Sequence, residues 1–151
     1  MKTVFLPFIL FFLLITVNSC DKRKIEKLHG TWEFIKKTDT GNHLYLITFD
    51  CDDVFYFKWT TPRINWRCDS TFYHDDSNYV KGTYEVNGKD LLLNGSYYTD
   101  STYTTLKTGG CGKSGAYKID KMLEWGKKDQ FILYYKMEKD YYYRSETIDC
   151  E

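Results

Sequence analysis

Gly30-Thr31-Trp32-Glu33-Phe34-Ile35 is the stretch whose reading decides the fold. Trp32 and Phe34 alternate with Glu33 and Ile35, the two-residue period of a strand that turns one face inward. Gly30 lacks a Cβ and permits a sharp redirection just before the strand begins. The preceding residues, Lys22 to Leu28, suit one short helical turn with Ile25 and Leu28 on the same side. A large aromatic at the head of a first strand is placed to plug the closed end of a barrel. A buried Trp in any small β-sheet would satisfy the same local pattern.

Outward from that stretch, β-type runs alternate with turn chemistry. Asp39 to Asn42 is a turn, followed by Leu44 to Phe49; Asp52-Asp53 then leads into Val54 to Trp59. Thr61-Pro62 interrupts, because proline removes a ladder donor. Ile64 to Tyr73 is a weaker run, and His74 to Asn78 a polar loop. Tyr79 to Val86 has the cleanest alternation in the chain, with Val80, Gly82, Tyr84 and Val86 on one face. Asn87-Gly88 signals a hairpin. Leu91 to Leu93 returns, Asn94-Gly95 marks a kink or turn, and Tyr97 to Leu106 continues in strand-forming Tyr and Thr. After a glycine-rich loop at 109–115 come Ala116 to Trp125, Gln130 to Met137 and Tyr141 to Ile148. About eight to ten strands at short, even spacing, with no helical run of core length, predict an all-β antiparallel up-and-down (meander) barrel.

A short helical turn followed by Gly-x-Trp at the first strand of an all-β domain is similar to the lipocalin-like families of the calycin superfamily. The resemblance implies an Arg from the last strand packed across the Trp, and Arg144 is the matching position. Gly30, Trp32 and Arg144 would then form the barrel plug. The Thr-Asp-Tyr region of that family has no counterpart here.

Residues 1–19 stand apart from the domain. Lys2 precedes an almost unbroken apolar run from Val4 to Val17. That run is short for a membrane span, which needs roughly 20 residues, and suits a secretory signal. It ends Val17-Asn18-Ser19-Cys20, which resembles a bacterial lipobox. The resemblance implies that Cys20 becomes the first mature residue and carries acyl chains, diacylglycerol and palmitate, so that the chain is anchored in the cell envelope, at the outer membrane of a Gram-negative bacterium. The expected organisation is a signal peptide at 1–19, a tether and helical turn at 20–28, and the lipocalin-like barrel at 29–151. Which face of the membrane it occupies is open, since Asp21-Lys22-Arg23-Lys24 is not an acidic run.

Export implies an oxidising space, so the even set Cys51, Cys68, Cys111 and Cys150 reads as disulfides. Four cysteines permit three pairings. Cys51–Cys68 with Cys111–Cys150 is expected, the first joining neighbouring strands and the second tying down the C-terminus. Zinc is not expected, because no Cys-x-x-Cys is present and His29, His43 and His74 are scattered.

Other chemistry is thin. Gly109 to Ser114 resembles the tail of a P-loop, but Lys107 stands where the first glycine belongs and a strand follows where a helix is needed. His74, Asp75 and Asp76 have no nucleophile motif beside them and lack calcium-loop spacing. No enzyme activity, cofactor or metal is expected. With 21 basic and 21 acidic residues, nothing favours a nucleic-acid partner.

Two functions remain. A barrel of about eight strands can hold one small ligand, and Phe55, Phe57, Trp59, Tyr84, Phe131 and Tyr135 would line an aromatic pocket for a small apolar or amphipathic molecule. The same bulky residues can instead fill the lumen. The chain would then be a protein- or glycan-interaction module, an envelope accessory or immunity-type lipoprotein with an envelope protein partner, using a Tyr-rich outer face. Tyr97-Tyr98, Tyr134-Tyr135 and Tyr141 to Tyr143 must each place rings on both faces of the sheet.

Overall fold

The computed structural model describes residues 22–39, 41–61, 76–108, 114–135 and 138–150. A short helix, α1 (residues 22–28), leads into eight strands. They are β1 (Gly30–Thr38), β2 (Gly41–Phe49), β3 (Val54–Thr61), β4 (Asp76–Asn87), β5 (Asp90–Tyr98), β6 (Ala116–Trp125), β7 (Gln130–Tyr135) and β8 (Glu138–Glu146). Each pairs antiparallel with the next, and β8 returns to β1, so the sheet is a closed meander barrel. The architecture is consistent with a lipocalin-like barrel.

The alternation read from the sequence sets which side chains turn inward. Phe55, Phe57 and Trp59 of β3 are buried, as are Val80, Tyr84 and Val86 of β4 and Leu91, Leu93 and Tyr97 of β5. Helix α1, the 50–53 turn, the Asn87–Asp90 hairpin, the 126–129 turn and the C-terminal residues 147–150 gather at one pole. The opposite pole carries the ends of β1 and β5 and the starts of β2 and β6. Lys24 on α1 donates to the carbonyl of Gly88 (2.7 Å).

The strand boundaries differ from expectation most of all in and after β5. Asn94-Gly95 is not a turn; it lies inside β5, directly across from Gly82 and Thr83 of β4. Gly82 faces Gly95, and a Cβ on Gly82 would stand 1.9 Å from the Asn94 carbonyl oxygen. Paired glycines let the two backbones approach closely here. The expected strand from Tyr97 to Leu106 ends at Tyr98, and the chain then folds back to a single bridge between Tyr98 and Leu106. Asp100 drives that departure, accepting hydrogen bonds from the Thr102 N–H (2.9 Å) and hydroxyl (2.5 Å).

The disulfide expectation is also corrected. Cys51 is bonded to Cys150, so neither Cys51–Cys68 nor Cys111–Cys150 forms. The 50–53 turn and the chain's C-terminal residues meet at the same pole, whereas sequence neighbourhood alone had favoured Cys68. Cys68 and Cys111 lie outside the described residues, as do Cys20, the signal segment, the 64–73 run and the Asp75 loop.

Candidate functional site

The α1 pole is built around Trp32, which is fully buried. Its indole Nε1 donates to the carbonyl of Leu28 (2.7 Å), locking the end of α1 to the start of β1. Burial of an indole stabilises by roughly 4–6 kcal/mol. The Arg144 guanidinium lies 4.1 Å from the Trp32 ring centroid. It also donates to the carbonyls of Lys27 (2.6 Å) and His29. These carbonyls close the helix, where a cation meets the negative end of the helix dipole. Asp129 holds the other side of the guanidinium, 3.3 Å from Nε. Gly30 fits because nothing larger can: its φ is +127°, and a Cβ would stand 2.4 Å from the Glu146 carbonyl oxygen and 2.8 Å from the Arg144 side chain.

Beside the plug, a groove of about 1040 Å³ opens at the same pole. His29, Cys51, Asp53, Arg144, Ile148 and Cys150 line it. His29 Nδ1 lies 3.0 Å from Cys150 Sγ.

The barrel interior is occupied by aromatic rings. From Trp32 a continuous series passes to Phe131 (4.7 Å between centroids), Tyr142 (4.8 Å), Phe34 (5.4 Å), Tyr45 (5.5 Å), Phe57 (6.3 Å), Tyr117 (5.9 Å) and Tyr97 (5.8 Å). The ligand candidates Phe55, Phe57, Trp59, Tyr84 and Phe131 all belong to this buried cluster. Phe55 and Trp59 both touch Tyr117, and Tyr84 packs edge-on to Phe49. Tyr135 lies on β7, and its side chain is outside the described residues.

The remaining polar groups inside are few. The Tyr84 hydroxyl donates to the Asp50 carbonyl (3.0 Å). The Tyr117 hydroxyl is buried with no hydrogen-bond partner among the described residues, and burial pushes its phenol far above the ordinary range. Inside the barrel, Lys121 and Asp140 form an ion pair (3.7 Å) with both side chains largely covered. Desolvation lowers the Lys121 pKa against the opposing pull of Asp140.

The outer surface carries the rest of the aromatic content. Tyr103, in a left-handed conformation (φ 53°), folds over the wall against Tyr56 (5.1 Å), Tyr98 (5.8 Å) and Tyr79 (6.1 Å). Lys81 and Lys58 cover Tyr56 and Tyr79. Desolvation, then the neighbouring Tyr79 and Tyr56, pushes the Tyr103 phenol up to about 12. On the other side of the barrel, Met122 (β6), Tyr141 and Tyr143 (β8) and Ile35 (β1) are exposed. Ile132, outward on β7 and paired with Glu124 and Tyr141, is nonetheless buried.

Several of these residues carried no signal in the sequence reading. Asp129 stands between two strand runs, and its role follows from β8 passing beside it. His29 was one of three scattered histidines. Lys121 and Asp140 were legible in principle, since each shares inward parity with hydrophobic neighbours, Leu123 and Tyr142.

Comparison of the chain with protein-family models, with curated proteins and with solved structures finds no match.

Proposed function

We propose that this chain is a lipid-tethered envelope protein whose barrel is a docking module for another protein, engaged through the outer wall of β6, β7, β8 and β1. One observation carries this proposal. Four of the five exposed large hydrophobic residues among those described, Ile35, Met122, Tyr141 and Tyr143, stand on these four adjacent strands. Ile132 lies within the same wall and is already covered by it. Exposed apolar residues gathered on one side of a domain mark interaction sites, and aromatic residues and Met are enriched at protein interfaces. Aliphatic Ile35 and Met122 suit a polypeptide partner better than a sugar. Glu33, Glu124 and Lys139 supply a charged rim on the same strands.

A small ligand in the lumen fits less well, since the rings that would line its pocket are packed against one another. The tether belongs to the same proposal. Cys20 would carry the acyl chains, and α1 begins two residues later, so the anchor would hold the α1 pole toward the membrane and leave the wall upright. Kinship with the calycin superfamily rests on Gly30, Trp32 and Arg144.

Native mass spectrometry of the full chain purified from its own host membranes tests the function. A co-purifying polypeptide that is lost in Tyr143→Ser/Ile35→Lys is the expected result. A small apolar mass retained by both proteins, or a co-purifying glycan, would overturn it.

A further inference from the structure

At the α1 pole, three metal-ligand side chains that are far apart in sequence meet in space. His29 Nδ1, Cys51 Sγ and Cys150 Sγ all lie within 4.8 Å of one another. We propose that, once the disulfide is reduced, these three form a binding site for a thiophilic metal ion of the zinc class. The proposal does not depend on the docking function.

The geometry is close to what such an ion needs. Tetrahedral zinc takes bonds of about 2.3 Å to sulfur and about 2.0 Å to nitrogen, which places ligand atoms roughly 3.5 Å apart. His29 is fixed between α1 and β1, its carbonyl held by Arg144. Cys51 sits in a turn and Cys150 in the strand-free residues 147–150, so both sulfurs can separate from bonding distance without disturbing the barrel.

His29 supplies the second, independent indication. It is 9% exposed, and among the described residues its ring has no hydrogen-bond partner at Nε2 and only a weak one at Nδ1. Buried polar groups are ordinarily satisfied. Among the described residues its hydrogen-bond contact is through Nδ1, to the weakly accepting sulfur of Cys150 at 3.0 Å. A metal bond at Nδ1 would replace that weak contact with a strong one and leave Nε2 to carry the ring proton.

The surroundings favour a cation. Around the groove, Glu26, Asp53, Asp129 and Asp149 outnumber Lys22 and Arg144. The open side leaves space for a fourth ligand, either water or one of the groove carboxylates. Three protein ligands with an open position is the arrangement that distinguishes reactive zinc sites from closed structural ones.

The chemistry balances with a dithiol reductant. The dithiol transfers two electrons and two protons to the Cys51–Cys150 bond and leaves as its own disulfide. Each new thiol then loses its proton as a metal–thiolate bond forms. The disulfide and the metal are therefore mutually exclusive occupants of one place.

Cobalt(II) titration of the full chain in detergent, reduced with a non-coordinating phosphine, tests the site. The expected result is one equivalent bound, with intense tetrahedral d–d bands and a sulfur-to-cobalt charge-transfer band that zinc displaces. Cys68→Ser/Cys111→Ser should keep these bands. Cys150→Ser should lose the charge-transfer intensity, and His29→Ala should weaken binding by more than ~100-fold, beyond what losing a supporting residue costs. Identical bands in the oxidised chain, or in His29→Ala, would overturn the proposal. Without any variant, zinc should protect Cys51 and Cys150 of the reduced protein from alkylation, as read by peptide mass mapping. Equal alkylation with and without zinc would overturn it too.

Discussion

Arg144→Lys probes the joint that closes the barrel. The guanidinium does three things at once: it covers the Trp32 ring at 4.1 Å, it donates to the carbonyls of Lys27 and His29, and it pairs with Asp129. Lysine keeps the charge but not the planar fork. It can reach one carbonyl and cannot lie flat on the indole. The loss is then one charged hydrogen bond, worth about 1.5–3 kcal/mol, and most of a cation–π contact of about 0.5–2 kcal/mol. Together these predict a destabilisation of about 2–4 kcal/mol. For a domain of this size that lowers Tm by roughly 6–15 °C. Urea unfolding followed by Trp fluorescence reads it directly. Asp129→Asn removes only the half-exposed partner and should cost under about 1 kcal/mol. A double-mutant cycle with Trp32→Phe should return a coupling of about 0.5–2 kcal/mol. A lysine variant within ~0.5 kcal/mol of wild type, or one no worse than Asp129→Asn, would refute the clasp.

Gly30→Ala should destabilise by about 2–4 kcal/mol, because a Cβ meets the Glu146 backbone at 2.4 Å in a left-handed conformation; the shift of the urea midpoint checks it. Cys51→Ser should cost about 4–5 kcal/mol under oxidising conditions, since the Cys51–Cys150 bond closes a loop with a sequence separation of 99, and reduced wild type should match the variant. Raising the pH should weaken the fold from about pH 10 upward. The phenols of Tyr84, Tyr103, Tyr117 and Tyr142 are all held neutral by desolvation beyond their unfolded value of 10.0. Their stabilising contribution is complete below that value and is lost as pH climbs toward the folded values, about 12 for Tyr103. Phenolate absorbance should therefore rise late and together with loss of near-UV circular dichroism; early titration of every tyrosine would contradict the packed interior. Cys20→Ala should release the protein from membranes, and unchanged membrane fractionation would contradict the tether.

The barrel was legible because its signal is local: inward and outward positions alternate, and one-sided burial makes each strand's pattern plain in β1, β3 and β4. Gly82 and Gly95 show where that signal fails. A glycine reads as a turn when taken alone, and only the neighbouring strand reveals that it marks a close crossing inside β5. The α1 pole was least legible. Trp32 announced itself and the family resemblance named Arg144, but Asp129 and Cys150 come from the far end of the chain, and their convergence is a property of closure, not of any window of sequence. The Cys51–Cys150 bond was missed for that reason, as was the proximity of His29. The outer wall was half legible: the tyrosine doublets required outward rings, but not that Ile35 and Met122 would share their side of the barrel.

The seam between β1 and β8 has a consequence for how the polypeptide is made. Trp32 pairs across it with Arg144, and the two strands touch through a short, bulged register. The first strand synthesised therefore waits for the last. Until β8 emerges, the indole lacks Arg144 across its face and the sheet has two open edges. Under the proposed export, a translocation channel that handles only extended chains would meet a molecule unable to close prematurely.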